Sequence, residues 1–187
     1  MRLLAILSFF ATAIAIDAQA RAQERQCLAP FPRLLSDEAF ARYSVKMPSR
    51  PSSAHVSDVR IGEAHLYRTV IRQAVKSGPD FAGHYKIVRI GCGAATVCVA
   101  IADTLSGKVY FPPEIKATSA LLVDTGSANV NTLNYRPNSS LLIVVGLPNE
   151  DSSRAGASHY IWRSGKLHLV HYIPAAKLCS LPPSTRF

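Results

Sequence analysis

The chain has 187 residues, of which 48% are hydrophobic and 18% are charged, a composition ordinary for a globular protein. Its 21 Lys and Arg residues against 12 Asp and Glu residues give a formal net charge of +9. This excess favours association with anions but carries no information about the fold. The sequence has one apolar run, at the N-terminus, and no other segment is long and apolar enough to be considered as a membrane span.

Residues 1–20 have the pattern of a secretory signal peptide. An apolar run, Leu3–Ile16, is followed by Ala18-Gln19-Ala20, which offers small residues at the positions that a signal peptidase reads. The run is shorter than the roughly 20 residues of a membrane-spanning helix, so we favour a cleaved signal over an uncleaved anchor. Cleavage after Ala20, or after Ala22 in a second frame, predicts a single mature domain, 21–187, that is periplasmic or secreted.

All four cysteines lie in the predicted mature chain. An even number of cysteines in an exported protein predicts disulfides, although four cysteines allow three pairings. We favour Cys92–Cys98, which closes a short loop, and Cys27–Cys179, which joins the two ends of the domain. The alternative is a hydrolase with Cys92 as its nucleophile and His84 as its base, since a reactive thiol needs a lowered pKa and a partner base.

Metal and cofactor motifs are missing from the sequence. Cys92 and Cys98 are too far apart in sequence for the usual zinc pair, and His168 and His171 would face opposite sides of a regular strand. Gly91-Cys92-Gly93 begins like a dinucleotide-binding loop but has no third glycine in place. We therefore expect no metal and no cofactor.

The N-terminal third of the mature chain alternates irregular and helical patterns. Residues 21–60 look irregular apart from one short helix from Asp37 to about Arg42, with Ser36 as its N-cap. Residues 61–77 predict the main helix, which ends at Gly78-Pro79. Its apolar positions are Leu66, Tyr67, Val70, Ile71 and Ala74. Its other side carries three candidate anion-binding residues, Arg68, Arg72 and Lys76.

Residues 84–173 have the short β-branched and aromatic runs typical of strands. Two Ser-Gly-Lys turns, 106–108 and 164–166, each join two of these runs and suggest a weak internal repeat. The fold class predicted is α+β, with one main amphipathic helix packed on an antiparallel β-meander of about six disulfide-stabilised strands. The predicted strands are His84–Gly91, Val97–Asp103, Lys108–Phe111, Leu141–Leu147, His159–Arg163 and Leu167–Ile173.

One string resembles the active-site turn of aspartic proteases. Leu121-Leu122-Val123 precedes Asp124-Thr125-Gly126 and a small residue, then Ala128-Asn129. That chemistry needs two facing Asp residues that share a proton. Since the chain has one copy, Asp124 would have to pair across a homodimer. The same residues are also ordinary turn formers, which is the interpretation we favour.

Two further polar residues are candidates at strand ends. His84 opens a predicted strand and is either a general base or ligand, or a structural histidine bonded to a backbone carbonyl. Asp103 ends the next strand just before a turn, and we expect it to cap that turn and not to catalyse.

The pattern Gly78-Pro79-Asp80-Phe81-Ala82-Gly83-His84-Tyr85, continuing through Gly91-Cys92-Gly93, Cys98, Asp103 and Ser106-Gly107-Lys108-Val109-Tyr110, resembles a family of small exported bacterial proteins of unknown function. Tyr135-Arg136-Pro137-Asn138-Ser139 also fits it. The resemblance covers roughly residues 60–170. It implies a location in the bacterial envelope and no particular catalytic residue.

The sequence thus favours a non-enzymatic protein, a basic binding module of the periplasm or the exterior. The expected partner is an envelope protein, a glycan or an anionic lipid, and not nucleic acid. The enzymatic alternatives are the Cys92/His84 hydrolase and, with less support, the dimeric aspartic protease built on Asp124.

Overall fold

The computed structural model of the chain describes residues 31–48, 59–60, 62–120, 123 and 130–178. The predicted signal peptide, Cys27, Asp124 and Cys179 lie outside these residues. Predictions that concern them therefore remain predictions.

The helices in the described ranges are short, and none of them is long and apolar enough to cross a membrane. A 3₁₀ turn at Pro113–Ile115 and another at Ser152–Arg154 connect strands. The α-helices are α1 (Phe31–Leu34), α2 (Asp37–Ala41), α3 (Gly62–Leu66), α4 (Arg68–Val75) and α5 (Ala175–Leu178).

The predicted main helix over 61–77 is two helices, α3 and α4. The break lies at Tyr67, whose backbone (φ −103°, ψ 14°) leaves the α-helical region. The buried stripe is also narrower than predicted. It contains Ile71 and Val75, whereas Leu66 is 73% exposed and Val70 is 41% exposed. The short helix predicted from Asp37 is confirmed as α2, and the Ser36 hydroxyl accepts a hydrogen bond from the Ala39 N–H at 3.3 Å.

The described strands form one antiparallel sheet of eight strands, two more than the roughly six predicted. Each predicted run contains a strand, and the two additional strands are only three residues long. The strands are β1 (Tyr85–Gly93), β2 (Thr96–Asp103), β3 (Val109–Tyr110), β4 (Ala117–Ser119), β5 (Leu133–Tyr135), β6 (Leu141–Pro148), β7 (Gly156–Arg163) and β8 (Lys166–Pro174).

The strand order is β1-β2-β4-β6-β7-β8, with β3 paired to β2 and β5 paired to β6. Strand β4 joins the two halves of the sheet, because it pairs with one end of β2 and one end of β6. Both Ser-Gly-Lys turns close hairpins. Gly107 and Gly165 each have φ +76°, the left-handed conformation that glycine adopts at little cost.

Three apolar clusters place the helices on the sheet. The central cluster joins β1 and β2 to β6 and β7, so the two halves of the sheet share one core that includes Phe81, Ile101 and Trp162. A second cluster lies between β1–β3 and α3–α4. The third lies between the outer face of β6–β8 and the helices α1, α2 and α5. Polar residues at the edge of this third cluster surround the candidate site.

Candidate functional site

A cleft with a volume of about 530 Å³ opens between α1–α2 and the outer face of β6–β8. We call it the helix–sheet cleft. This volume falls in the roughly 300–1,000 Å³ range of small-molecule sites. Its described apolar lining consists of Leu34, Ala39, Leu141 and Val170, and its described polar lining of Arg33, Ser36, Glu38, Arg42, Tyr43, His159 and His171.

Hydrogen bonds hold the helical wall of the cleft to the loop that precedes β6. The Ser139 hydroxyl donates to the Phe40 carbonyl at 2.8 Å, and the Ser140 N–H donates to the Tyr43 carbonyl at 2.9 Å. The Arg136 guanidinium lies 4.5 Å from the centre of the Phe40 ring. The end of α2 is thus fixed relative to the sheet, which makes the cleft a preformed feature.

Two histidines on the sheet wall are direct cross-strand partners. His159 on β7 pairs with His171 on β8, and their ring centroids are 5.3 Å apart in a T-shaped arrangement. A β-bulge shifts the register between His159 and Tyr160 and leaves Val170 as the extra residue. Because paired residues share one side of a sheet, both rings face the cleft side.

The prediction that His168 and His171 face opposite sides of the strand is wrong, because the same bulge adds a residue between them. His168 pairs with Ile161, which is two residues from His159 and therefore on the same face. The prediction assumed an uninterrupted strand. His168 is exposed and is not part of the described lining of the helix–sheet cleft.

His159 is the most unusual group in the cleft. It is only 9% exposed, and its Nδ1 atom is buried without a hydrogen-bond partner. Burial, with a smaller contribution from His171, lowers the pKa of His159 to about 4. The ring is therefore neutral at pH 7. An unpaired buried polar atom costs about 1–3 kcal/mol, and Nδ1 is one of five such side-chain atoms among the described residues.

The helical wall carries charges of both signs. Arg33 and Arg42 line the cleft, and Glu38 lies near them on α2. Hydrogen bonds from the Glu38 backbone N–H and from Ser36 lower the pKa of the Glu38 carboxyl, so it is ionised at neutral pH. Two guanidinium groups and one carboxylate are therefore among the described lining residues of the cleft.

His84, a candidate from the sequence, lies in a different region from the cleft. Two left-handed residues precede it, Ala82 (φ +44°) and Gly83 (φ +87°). The Gly83 N–H donates to the Pro137 carbonyl at 2.6 Å, which brings the Gly-His-Tyr string next to the Tyr-Arg-Pro-Asn string. His84 Nε2 is 3.6 Å from Asp103 Oδ1.

Asp103 caps the turn after β2, as predicted. Its Oδ1 accepts from the Leu105 N–H at 2.9 Å and the Ser106 N–H at 3.2 Å, and its Oδ2 accepts from the Ser106 hydroxyl at 2.7 Å. Burial raises the pKa of the Asp103 carboxyl, but these hydrogen bonds outweigh it and hold the pKa below its ordinary value. The group is an ionised turn-former.

Cys92 and Cys98 form a disulfide across the β1–β2 hairpin, as favoured from the sequence. Cys92 lies at the far end of β1 from His84, a separation of roughly 26 Å along an extended strand of eight steps. A bridged sulfur is not a thiolate nucleophile. The structure therefore does not assemble the Cys92/His84 pair of the hydrolase alternative.

The other candidates are separate from the cleft. Arg68, Arg72 and Lys76 are exposed along one side of α4, and the Arg68 guanidinium donates to the His65 carbonyl at 3.0 Å. Asp124 lies outside the described residues. Within the described ranges, no three His, Cys, Asp or Glu side chains are grouped as metal ligands.

Comparison of the chain with protein-family models, curated proteins and solved structures finds no match. The family resemblance drawn from the sequence motifs thus stays a prediction. The candidate site is therefore identified from its geometry alone.

Sequence reasoning missed the residues that form the cleft. The sequence predicts Ser36 and Glu38 at the start of a helix and His171 on a strand, but it does not group any of the polar lining residues into a site. The signal present in the sequence was the pair of histidines on either side of the second Ser-Gly-Lys turn. Regular pairing from that turn would place His159 opposite Val170, so only the bulge brings the two imidazoles together.

Proposed function

We propose that this chain is an exported binding module without a catalytic role, and that its ligand occupies the helix–sheet cleft. The observation that carries the proposal is a preformed cleft that contains a buried His159 with an unpaired ring nitrogen. Ligand sites combine an apolar lining with a few polar groups that fix orientation, and this cleft has both.

Export is supported by two independent features. The N-terminal sequence has the signal-peptide pattern, and the Cys92–Cys98 disulfide is typical of proteins that fold in an oxidising compartment. In that location the partners we favour are a glycan, an anionic lipid or another envelope protein. The exposed cations of α4, Arg68, Arg72 and Lys76, offer a second surface for an anionic partner.

Amide NMR spectra of the isotope-labelled mature protein test the proposal. We would titrate a panel of small carboxylates, amines and neutral sugars and map the shifted amide signals. The expected result is a cluster of shifts at Ala39, Tyr43, Leu141 and Val170. Val170→Trp, at a 45% exposed position, should fill the cleft and abolish these shifts.

The matched control is an Arg68→Ala and Arg72→Ala double variant on α4, which should leave the shifts intact. Shifts that map to α4, or no shifts with any compound, would contradict the cleft as the ligand site. Hydrolysis of a peptide or ester substrate, lost on a single substitution, would contradict the non-catalytic role.

A further inference from the structure

The outer side of α3 and α4 is strongly cationic. Of the described residues between 59 and 77, four are Arg or Lys and one, Glu63, is acidic. Three of the cations, Arg68, Arg72 and Lys76, are spaced four residues apart along α4 and its C-cap, so they follow one side of the helix. In the described part of the chain, neither Arg72 nor Lys76 forms a salt bridge with an acidic side chain. These two charges are therefore available to an anionic partner.

Two exposed apolar side chains accompany the cations. Leu66 is 73% exposed, and Val70, about one turn further along, is 41% exposed. The residues next to them pack inward, since the Tyr67 ring lies against Phe111 with the ring centroids 6.2 Å apart, and Ile71 is fully buried. The buried neighbours anchor both helices to the sheet. Leu66 and Val70 are thus held at the surface, in the same stretch of chain as the cations.

We propose, on the basis of the exported location proposed above, that these five residues form a surface that docks on a bilayer of anionic lipids. We call it the α3–α4 surface, and it consists of Leu66, Arg68, Val70, Arg72 and Lys76. The three cations contact the phosphate groups of the lipids, and the two apolar side chains enter the boundary between head groups and acyl chains. The α3–α4 surface is separate from the helix–sheet cleft, so the two sites can be tested independently.

A bilayer fits this surface better than the other partners. A soluble acidic glycan would neutralise the cations but would leave Leu66 and Val70 in water. A second copy of the chain, docked through the same surface, would bring like charges together. A standard protein interface uses about 20–30 residues on each side, more than two helices of five and eight residues expose. A bilayer requires no matching shape, so a few cations and two apolar side chains are sufficient.

Co-sedimentation of the mature protein with lipid vesicles tests this inference. One set of vesicles is pure phosphatidylcholine, and the other is an equal mixture of phosphatidylcholine and phosphatidylglycerol, both at about 0.1 M salt. We expect the protein to partition onto the anionic vesicles and not onto the neutral ones. Partitioning should weaken as salt is added, because ions screen charges that are exposed to solvent.

A pair of double variants tests whether the position of the charges matters. Arg72→Gln with Lys76→Gln should weaken partitioning about 25-fold, at roughly fivefold for each cation lost from the bilayer contact. The matched control is Arg163→Gln with Lys166→Gln, which removes the same charge from exposed positions on the hairpin between β7 and β8. The control should retain most of the partitioning, because its cations lie in the other half of the sheet from α3 and α4.

The apolar contact has its own pair of variants. Leu66→Gln should weaken partitioning by about tenfold, because it removes an apolar side chain that leaves water on docking. Leu169→Gln is the matched control, at a 49% exposed position on β8, and should leave partitioning unchanged. Thermal unfolding of each variant shows whether it has folded.

Insertion can also be observed directly with Leu66→Trp. The emission of a tryptophan shifts to shorter wavelength when its ring leaves water. The one native tryptophan, Trp162, is buried, so a shift on addition of vesicles reports position 66. We expect the shift with the anionic vesicles and none with the neutral ones.

Several results would overturn the inference. They are equal losses in the two charge variants, full partitioning of Leu66→Gln with no emission shift in Leu66→Trp, and no partitioning onto anionic vesicles at all. Binding to polygalacturonate, an acidic polysaccharide, in place of vesicles would identify a glycan and would also overturn it. None of these results affects the helix–sheet cleft, which the NMR panel tests with soluble compounds. Absence of cleft shifts would in turn contradict the proposed ligand site and leave the docking surface standing.

Discussion

Gly165, in the turn between β7 and β8, lies directly against the ring of Tyr110 on β3. A Cβ atom at Gly165 would be 2.6 Å from Tyr110 Cε1, and the residue has φ +76°. The Tyr110 ring in turn packs edge to face on Trp162, with centroids 5.3 Å apart. The second Ser-Gly-Lys turn therefore closes a hairpin and also joins the two halves of the sheet.

We expect Gly165→Ala to lower the free energy of unfolding by about 2–4 kcal/mol, because a left-handed backbone and a displaced Tyr110 ring both add to the cost. Gly78→Ala is the matched control. Gly78 has φ +80°, but a Cβ atom there would meet nothing within 4 Å, so this variant should lose only the backbone contribution, about 1–2 kcal/mol. Urea unfolding measures both. Equal losses would show that the Tyr110 contact is not restrictive.

The two predicted disulfides can be tested separately by substituting each pair of cysteines. Cys92–Cys98 closes a loop with a sequence separation of six, so a Cys92→Ser and Cys98→Ser double variant should lose about 2 kcal/mol of stability. If Cys27–Cys179 also forms, its longer loop predicts a larger loss, about 4–5 kcal/mol, in the corresponding double variant. Non-reducing peptide mapping after thiol blocking reports both pairings. A blocked, unbridged Cys92 would contradict the disulfide.

The sequence predicted those helices and turns that depend only on neighbouring residues. Ser36 followed by Asp37 and Glu38 predicted α2, and the glycine turns predicted two hairpins, because a cap or a turn needs only a few adjacent residues. The helix break at Tyr67 was not predictable from periodicity, because apolar residues at helical spacing continue through that position. The cleft was not predictable either. It depends on one bulge at Val170 and on the docking of α2 by a loop about 100 residues away.

The contribution of Asp103 to the turn after β2 can be measured by substitution. Asp103→Ala would leave the Leu105 and Ser106 N–H groups without the Oδ1 acceptor, and we expect a loss of about 1–3 kcal/mol in the free energy of unfolding. Asp103→Asn keeps one acceptor oxygen and should lose less. Chemical denaturation of the two variants measures the difference. If neither variant lost stability, the Asp103 carboxylate would not stabilise the turn.

The buried His159 makes stability depend on pH in a defined window. Its ordinary pKa is 6.5, and burial and His171 lower the pKa to about 4 in the folded protein. Between these values the unfolded chain binds a proton that the folded chain does not, so stability falls as the pH is lowered from about 6.5 to about 4. The full effect is of order 3 kcal/mol, at 1.36 kcal/mol per unit of pKa.

Carboxyl groups with lowered pKa values, Asp103 and Asp151 among them, also make the free energy of unfolding fall in acid. The contribution of His159 must therefore be measured as a difference between variants. We expect His159→Gln to flatten the curve of unfolding free energy against pH in this window, relative to the unsubstituted protein. His168→Gln, an exposed neighbour on β8, should leave the curve unchanged. Superimposable curves for the protein and His159→Gln would show that His159 is protonated as easily in the folded state as in the unfolded chain.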